Sequence, residues 1–384
     1  MKKKKILIVF GTRPEAIKMA PVVKEFEKYS DEFNTEVCVT AQHREMLDQV
    51  LDLFEIKPNY DLNLMKNDQD LYDLSSRVLL GMRNILEISK PDWVFVHGDT
   101  TTSSMTALAA FYKQIKVAHV EAGLRTNNIY SPWPEEINRQ ITGRIANIHF
   151  APTKTAKKNL IKENIDKSNI HVTGNTVIDA LFMALNKINN DRTLEKEVIS
   201  KLKVSGYNFI AGKKIILVTG HRRENFGDGF INICRALKEI AIINNDIDIV
   251  YPVHLNPNVQ KPVFEILNGI DNIYLIKPID YLPFIFLMKN SILVLTDSGG
   301  IQEEAPSLGI PVLVMRENTE RPEAISAKTV KLVGTNSKSI IDSVLELINN
   351  EFEYSLMSKS LNPYGDGKAS VKTVNLIKVV KQCN

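Results

Sequence analysis

Ionisable residues placed just beyond apolar runs give this chain its chemistry. Asp99 follows the run 94–96 within VHGDTTT, and Glu121 follows the run 117–120 within HVEAGLRT. Glu135 stands near the start of SPWPEEINRQ, and His221, beside Arg222 and Arg223, follows the run 215–218. Carboxylates and imidazoles so placed can take and return protons. Two further stretches read as anion sites. In LTDSGGIQEEAPSLG an apolar run ends at Ser298, Gly299 and Gly300, and a helical pattern follows. Adjacent glycines admit a ligand oxygen to the backbone, and the free N–H groups of a first helical turn point at it. A diphosphate suits that turn. Glu303 and Glu304 are expected in the same first turn, where the helix dipole favours carboxylates and sugar hydroxyls give them something to bind. In GTRPEAIKMAP, Gly11 permits a turn and Pro14 suits the first helical position. Arg13 and Lys18 flank that helix start as a second anion site. Ligands of open α/β sheets bind at the carboxyl ends of strands, so Asp99, Glu121 and Arg13 are expected to face one crevice.

The elements that must position these groups alternate between strand and helix. Buried parallel strands are expected at 6–10, 37–40, 94–96, 117–120, 148–151 and 170–173, and again at 215–218, 247–250, 273–276, 292–295 and 312–315. Between them, AQHREMLDQVLDLF puts Met46, Leu47, Val50, Leu51 and Phe54 on one helix face. Further helices are predicted over 71–89, 282–288, 337–349 and 369–381. Ser131 is the expected N-cap of a helix over 134–147 whose apolar face is Ile137, Ile141 and Ile145. The lysine- and asparagine-rich stretch 186–214 reads as a linker region. The fold class expected is α/β, two Rossmann-like doubly wound domains with an active-site cleft between them.

Composition sets the bounds. A chain of 384 residues exceeds one ordinary core, and 44% hydrophobic with 24% charged residues fits a soluble globular enzyme. A net charge of +3, dispersed along the chain, offers no face for nucleic acid. The apolar run after Lys2–Lys5 is only a strand in length, so no signal peptide is expected, and no stretch suggests a membrane span. Cys38, Cys234 and Cys383 are odd in number and far apart, which fits a reducing cytoplasm. His97 and His119 each precede an acid by two residues, but strand-end histidines of this kind read as packed side chains, and no metal is expected. Gly212-Lys213 misses the phosphate-loop spacing, and no GxGxxG occurs, so no dinucleotide cofactor is expected.

Two doubly wound halves, one rich in strand-end acids and one with a phosphate turn, describe an enzyme acting on a nucleotide sugar. In order along the chain, GTRPEAIKMAP, AQHREMLDQV, VHGDTTT, HVEAGLRT, SPWPEEINRQ, GNTVIDA, TGHRREN, YPVHLNPNV, LTDSGGIQEEAPSLG and ERPEA resemble the bacterial non-hydrolysing UDP-N-acetylglucosamine 2-epimerases. The resemblance runs through nearly the whole chain, to NPYGDG. It implies the GT-B type fold, with an N-terminal domain over 1–174 joined by a C-terminal helix over 365–384, and a UDP-binding domain over 175–364. It implies reversible epimerisation at C2 through elimination of UDP to 2-acetamidoglucal, in a cytoplasmic homodimer without a cofactor, supplying N-acetylmannosamine units for surface polysaccharide. By the same resemblance Asp99, Glu121 and Glu135 serve the sugar and His221 assists at the leaving diphosphate. Arg13, Lys18 and Arg321 hold the nucleotide, Phe284 lines the base pocket, Ser298, Gly299 and Gly300 cradle the diphosphate, and Glu304 binds the ribose. Gln42 and His254 match a second, allosteric substrate site seen in some relatives. Glu45 and Asp68 depart from it, since relatives carry a Gln and an Arg there. A hydrolysing 2-epimerase and a GT-B glycosyltransferase share parts of the pattern, the first without the full GTRPEAIK run and the second without use for three acids.

Overall fold

The computed structural model describes residues 3–41, 44–64 and 69–380. The chain divides into two compact units. The first comprises Met1–Ala180 with Tyr364–Asn384, the second Leu181–Pro363.

Among the described residues, the first unit holds one parallel sheet of seven strands: β1 (Lys4–Phe10), β2 (Phe33–Val39), β3 (Tyr60–Asp61), β4 (Trp93–His97), β5 (Lys116–Val120), β6 (Ile148–Ala151) and β7 (Ile170–Val172). Their order is β3-β2-β1-β4-β5-β6-β7, so the chain winds outward from β1 one way and from β4 the other. The β-branched and leucine runs that specify these strands are buried on both sides, as a helix-covered parallel sheet requires. The helix Arg13–Glu27 follows β1, capped by Thr12, with Pro14 in its first turn. Against it packs the last helix, Ala369–Val379, held at both ends. At its start the buried carboxylate of Asp179 accepts the N–H groups of Ala369 (3.1 Å) and Ser370 (2.8 Å) and the Ser370 hydroxyl (2.5 Å). At its end the Lys4 ammonium donates to the carbonyls of Ile377 (2.8 Å), Lys378 (3.2 Å) and Val380 (2.8 Å).

The second unit, among its described residues, holds a parallel sheet of six strands: β8 (Lys214–Thr219), β9 (Ile247–Pro252), β10 (Ile273–Ile276), β11 (Leu293–Thr296), β12 (Val312–Val314) and β13 (Val330–Leu332). The order β10-β9-β8-β11-β12-β13 again reverses beside the first strand, here between β8 and β11.

Two expectations are corrected. The stretch 186–214 is not an irregular linker. It carries the end of the helix Thr176–Asn190 and the helix Arg192–Ser205, whose cap Asp191 accepts from the N–H groups of Thr193 and Leu194. Its lysines face solvent while Val198 and Leu202 are buried, a sparse apolar stripe that composition hides. Met46 is exposed, unlike the Leu47, Val50 and Leu51 with which it was grouped. The helix Glu351–Ser358, started by Asn350, was not anticipated. No helix among the described residues is long and apolar enough to cross a membrane.

Because Asp179 closes the start of the last helix with three bonds, Asp179→Ala should cost about 2–4 kcal/mol of stability. Urea unfolding measures this. A loss below about 0.5 kcal/mol, the range of an indifferent surface change, would show that the helix is anchored elsewhere.

Candidate active site

In the first unit the turn after β1 lies beside the turn after β4. Both are tied to Glu15, a residue not singled out from sequence although Thr12-x-x-Glu15 is a capping-box pattern. Its Oε2 accepts the N–H groups of Gly11 (3.0 Å) and Thr12 (2.8 Å), and its Oε1 accepts the hydroxyls of Thr100 (2.6 Å) and Ser103 (3.0 Å). Burial pushes this carboxyl upward in pKa, and the bonds from Thr100, Gly11 and Thr12 oppose that shift. Gly11 is obligatory here: a Cβ would stand 2.1 Å from Thr40 Oγ1 and 2.6 Å from Thr102 Oγ1. Arg13, the next residue but one, is half-buried.

Asp99 follows β4 across Gly98, whose φ of +62° turns the chain outward. The carbonyl of Gly98 accepts from His119 Nε2 at 2.7 Å, which fixes the tautomer of that buried ring. The Arg139 guanidinium pairs with Asp99 and also donates to Glu136 Oε2 at 3.1 Å. Glu121, after β5, adopts φ +60° and is only 9% exposed. Its Oε1 accepts from Lys18 Nζ at 2.5 Å and from Asn175 Nδ2 at 2.8 Å, while His97 Nε2 lies 3.4 Å from Oε2. Lys18, expected at an anion site, is therefore engaged with a carboxylate.

The helix that carries Arg139 spans Glu135–Ile145 and overturns part of the sequence reading. Ser131 does not cap it. Pro134 occupies the cap position without a side-chain bond, and the Ser131 carbonyl accepts from Thr126 Oγ1. Its buried residues are Glu136, Asn138, Arg139, Thr142 and Gly143, whereas Ile137 is 37% exposed. The fully buried positions are thus mostly polar, while Ile145 packs partly against the core. Glu136 is fully buried and accepts the N–H groups of Thr126 (3.1 Å) and Asn127 (3.2 Å). Glu135 sits one turn before Arg139 on that helix, with its Oε2 buried and without a hydrogen-bond partner among the described residues.

In the second unit the corresponding tie is Asp297, directly after β11 and fully buried. Its Oδ2 accepts the N–H groups of His221 (2.9 Å) and Arg222 (2.8 Å) and the Asn225 amide (3.3 Å). His221 stacks on His254, with ring centres 5.3 Å apart and planes 19° apart. Burial lowers the His221 pKa, Asp297 raises it, and His254 and Arg222 lower it further. His254, expected at a separate site, thus touches the His221 ring. Gln42 and Asp68 lie outside the described residues, and Glu45 is exposed.

Ser298 occupies the cap position of the short helix Gly299–Glu304 without a side-chain bond, and a 3-10 turn, Ala305–Leu308, continues it. A Cβ on Gly299 would meet Glu320 Oε1 at 2.7 Å, while one on Gly300 would meet nothing within 4 Å. Glu303 and Glu304 lie in the second turn of the helix and not in the first, because it begins only at Gly299. Both are buried. Glu303 pairs with Arg321, and Glu304 Oε1 accepts from Tyr281 OH at 3.3 Å. Phe284, half-buried, is three residues beyond Tyr281 and so on the same face of the helix Tyr281–Lys289. Among the described residues no group of three or more His, Cys, Asp or Glu side chains is placed to hold a metal ion.

A family model described as UDP-N-acetylglucosamine 2-epimerase matches residues 24–378. The UDP-N-acetylglucosamine 2-epimerase of Campylobacter jejuni is 63% identical over 374 residues, covering 97% of each chain. That of Salmonella typhimurium is 58% identical over 375 residues, covering 97% of this chain and 98% of the other. The crystal structure of the Neisseria meningitidis enzyme bound to UDP-GlcNAc superposes with a TM-score of 0.87 at 51% identity, covering 97% of this chain and 99% of that one. Two doubly wound parallel α/β units with such neighbours are a GT-B type fold.

Burial keeps three imidazoles near the strand ends neutral: His97 is pushed down to about 4, His119 to about 3 and His149 to about 4. The unfolded chain takes up these protons near pH ~6.5, whereas the folded chain resists them. Stability from these groups is therefore full above pH ~6.5 and is lost as pH falls toward 4, at about 1.4 kcal/mol per pH unit for each histidine. His149→Gln should flatten the dependence between pH 5 and 6.5 by one such increment in chemical unfolding. Equal slopes in variant and parent would show that His149 titrates freely when folded.

Proposed function

The chain belongs to the UDP-N-acetylglucosamine 2-epimerase family, and from that premise we propose that it interconverts UDP-N-acetylglucosamine and UDP-N-acetylmannosamine without net hydrolysis. The hydrogen on sugar C2 has no adjacent carbonyl to stabilise a carbanion, so its removal needs the C1–O bond to break with it. A carboxylate takes the C2 proton, the C1–O electron pair leaves with UDP, and 2-acetamidoglucal forms. UDP then re-adds at C1 while a proton reaches C2 from the other face, which inverts that carbon. Proton carriers are thus needed on both faces of the ring.

The observation that carries this reading is the pair of carboxylates on neighbouring strand ends. Asp99 and Glu121 are each held by one cation, Arg139 and Lys18. Each carboxylate is thereby held in place at the end of its strand. Glu135, on the helix that supplies Arg139, is the third proton carrier. In the second unit Ser298, Gly299 and Gly300 receive the diphosphate, with room over Gly300 for an oxygen to approach. Arg13 and Arg321 add positive charge, Phe284 packs on the base, and Glu304 accepts from the ribose hydroxyls. His221 gives a proton to the departing phosphate oxygen and recovers it on re-addition, which stabilises the leaving group.

The working form is proposed as a cytoplasmic homodimer that supplies N-acetylmannosamine units for surface polysaccharide. Buried free thiols at Cys38 and Cys234 suit a reducing compartment. The exposed Leu80 and Ile88 of the helix Leu71–Ser89, with Phe111 and Tyr112 nearby, offer an apolar face to a second copy.

Epimerisation of UDP-N-acetylglucosamine in D₂O should place deuterium at C2 of the product in every turnover, read by proton NMR. Unlabelled UDP-N-acetylmannosamine would defeat the elimination route, free N-acetylmannosamine would assign a hydrolysing enzyme, and no mannosamine product would defeat the reaction itself. Asp99→Asn should keep UDP binding and lose roughly 100-fold or more of turnover, because an amide cannot take the proton. Glu304→Ala should weaken UDP binding with little change in melting temperature; unaltered affinity in calorimetry would refute the ribose contact.

A further inference from the structure

Asp297 uses one carboxylate oxygen to organise the turn after β8, through the N–H groups of His221 and Arg222 and the Asn225 amide. Its other oxygen, Oδ1, is buried and has no hydrogen-bond partner among the described residues, yet it lies 3.7 Å from His221 Nδ1. A fully buried carboxylate oxygen left without a donor is costly, and the donor within reach is the imidazole. The ring is also held in its plane. His254 stacks against it at 5.3 Å, and the main-chain bond from His221 N to Asp297 fixes its root. Arg222, whose charge also reaches the ring, donates to Glu320 Oε1 at 3.3 Å.

We propose that Asp297 is a positioning residue for His221: its carboxylate keeps a proton on Nδ1 and leaves Nε2 to exchange the proton at the phosphate oxygen. A carboxylate is acceptor-only, so the ring nitrogen facing it must carry hydrogen. Nε2 is then the nitrogen that gains a proton, passes it to the phosphate oxygen as the C1–O bond breaks, and takes it back on re-addition. Burial, His254 and Arg222 disfavour the doubly protonated ring needed before that transfer, and Asp297 is the group that opposes them. The transfer step rests on the function proposed above; the tautomer does not.

The full chain labelled with ¹⁵N-histidine tests this, with His221→Asn used to identify the His221 signals. In the parent protein, with and without UDP, the neutral ring should show a protonated Nδ1 and an unprotonated Nε2. Asp297→Asn should reverse this, because the amide oxygen stays on the main-chain N–H groups and its NH₂ then faces Nδ1. That variant should bind UDP within about threefold of the parent and lose roughly 100-fold or more of turnover, a kcat effect without a matching KM effect. A parent protein with hydrogen on Nε2, or a tautomer unchanged by Asp297→Asn, overturns the proposal. Should that variant not fold, the parent spectrum decides alone. A chain that makes no UDP-N-acetylmannosamine but shows the expected tautomers would refute the activity and leave the dyad standing.

Discussion

Each unit depends on one buried carboxylate at the place where its sheet reverses direction. A switch point leaves two strand-to-helix turns side by side with main-chain N–H groups that no strand can satisfy. Glu15 answers them in the first unit, joining the turn after β1 to the hydroxyls after β4. Asp297 does so in the second, reaching from β11 to the turn after β8. Burying such a charge is unfavourable unless donors meet it, and Glu15 on both oxygens and Asp297 on Oδ2 have them. The turns that carry Arg13, Asp99 and His221 are thereby fixed by groups that need never touch a substrate.

The same economy governs the acids. A carboxylate alone beneath a sheet edge would gain a proton and lose its use as a base. Lys18 and Asn175 on Glu121, and Arg139 on Asp99, hold negative charge at strand ends that are largely shielded from water. The imidazole of His97, neutral because it is buried, faces the second oxygen of Glu121 without adding a competing charge.

The eleven strands with longer signals and the glycine turn were legible because their signals are local, whereas the short β3 and β13 were not expected. An apolar run followed by glycine needs no tertiary knowledge, and the period of the helix Leu71–Ser89 gave its bounds. What was missed depends on partners distant in sequence. The isoleucines of the helix Glu135–Ile145 mark only part of its inward face: Ile145 packs against the core, but Ile137 is exposed, and Glu136 and Arg139 find donors and acceptors at Thr126, Asn127 and Asp99 that permit their burial. Apolar periodicity fails where a helix serves a polar site. Glu303 and Glu304 were misplaced by a turn because the glycines were read as preceding the helix when they begin it. Glu15 carried a local sign in Thr12-x-x-Glu15, but its bonds to Thr100 and Ser103 had none.

Parallel register turns these separate strand ends into constellations. β8 and β9 pair Leu217 with Val250, and the same offset carried past the strands sets His221 opposite His254. Neighbouring parallel strands lie about 4.8 Å apart, so two rings at matched positions beyond them meet face to face without any further device. β8 and β11 pair Thr219 with Thr296, which brings Asp297 level with Gly220, one residue before His221. β4 and β5 pair His97 with Val120, and the same step places Gly98 beside Glu121 and Asp99 just beyond it. A histidine assigned by sequence to a second site and one assigned to the reaction are therefore in contact because two strands are neighbours. The site is built by sheet order before any side chain is chosen.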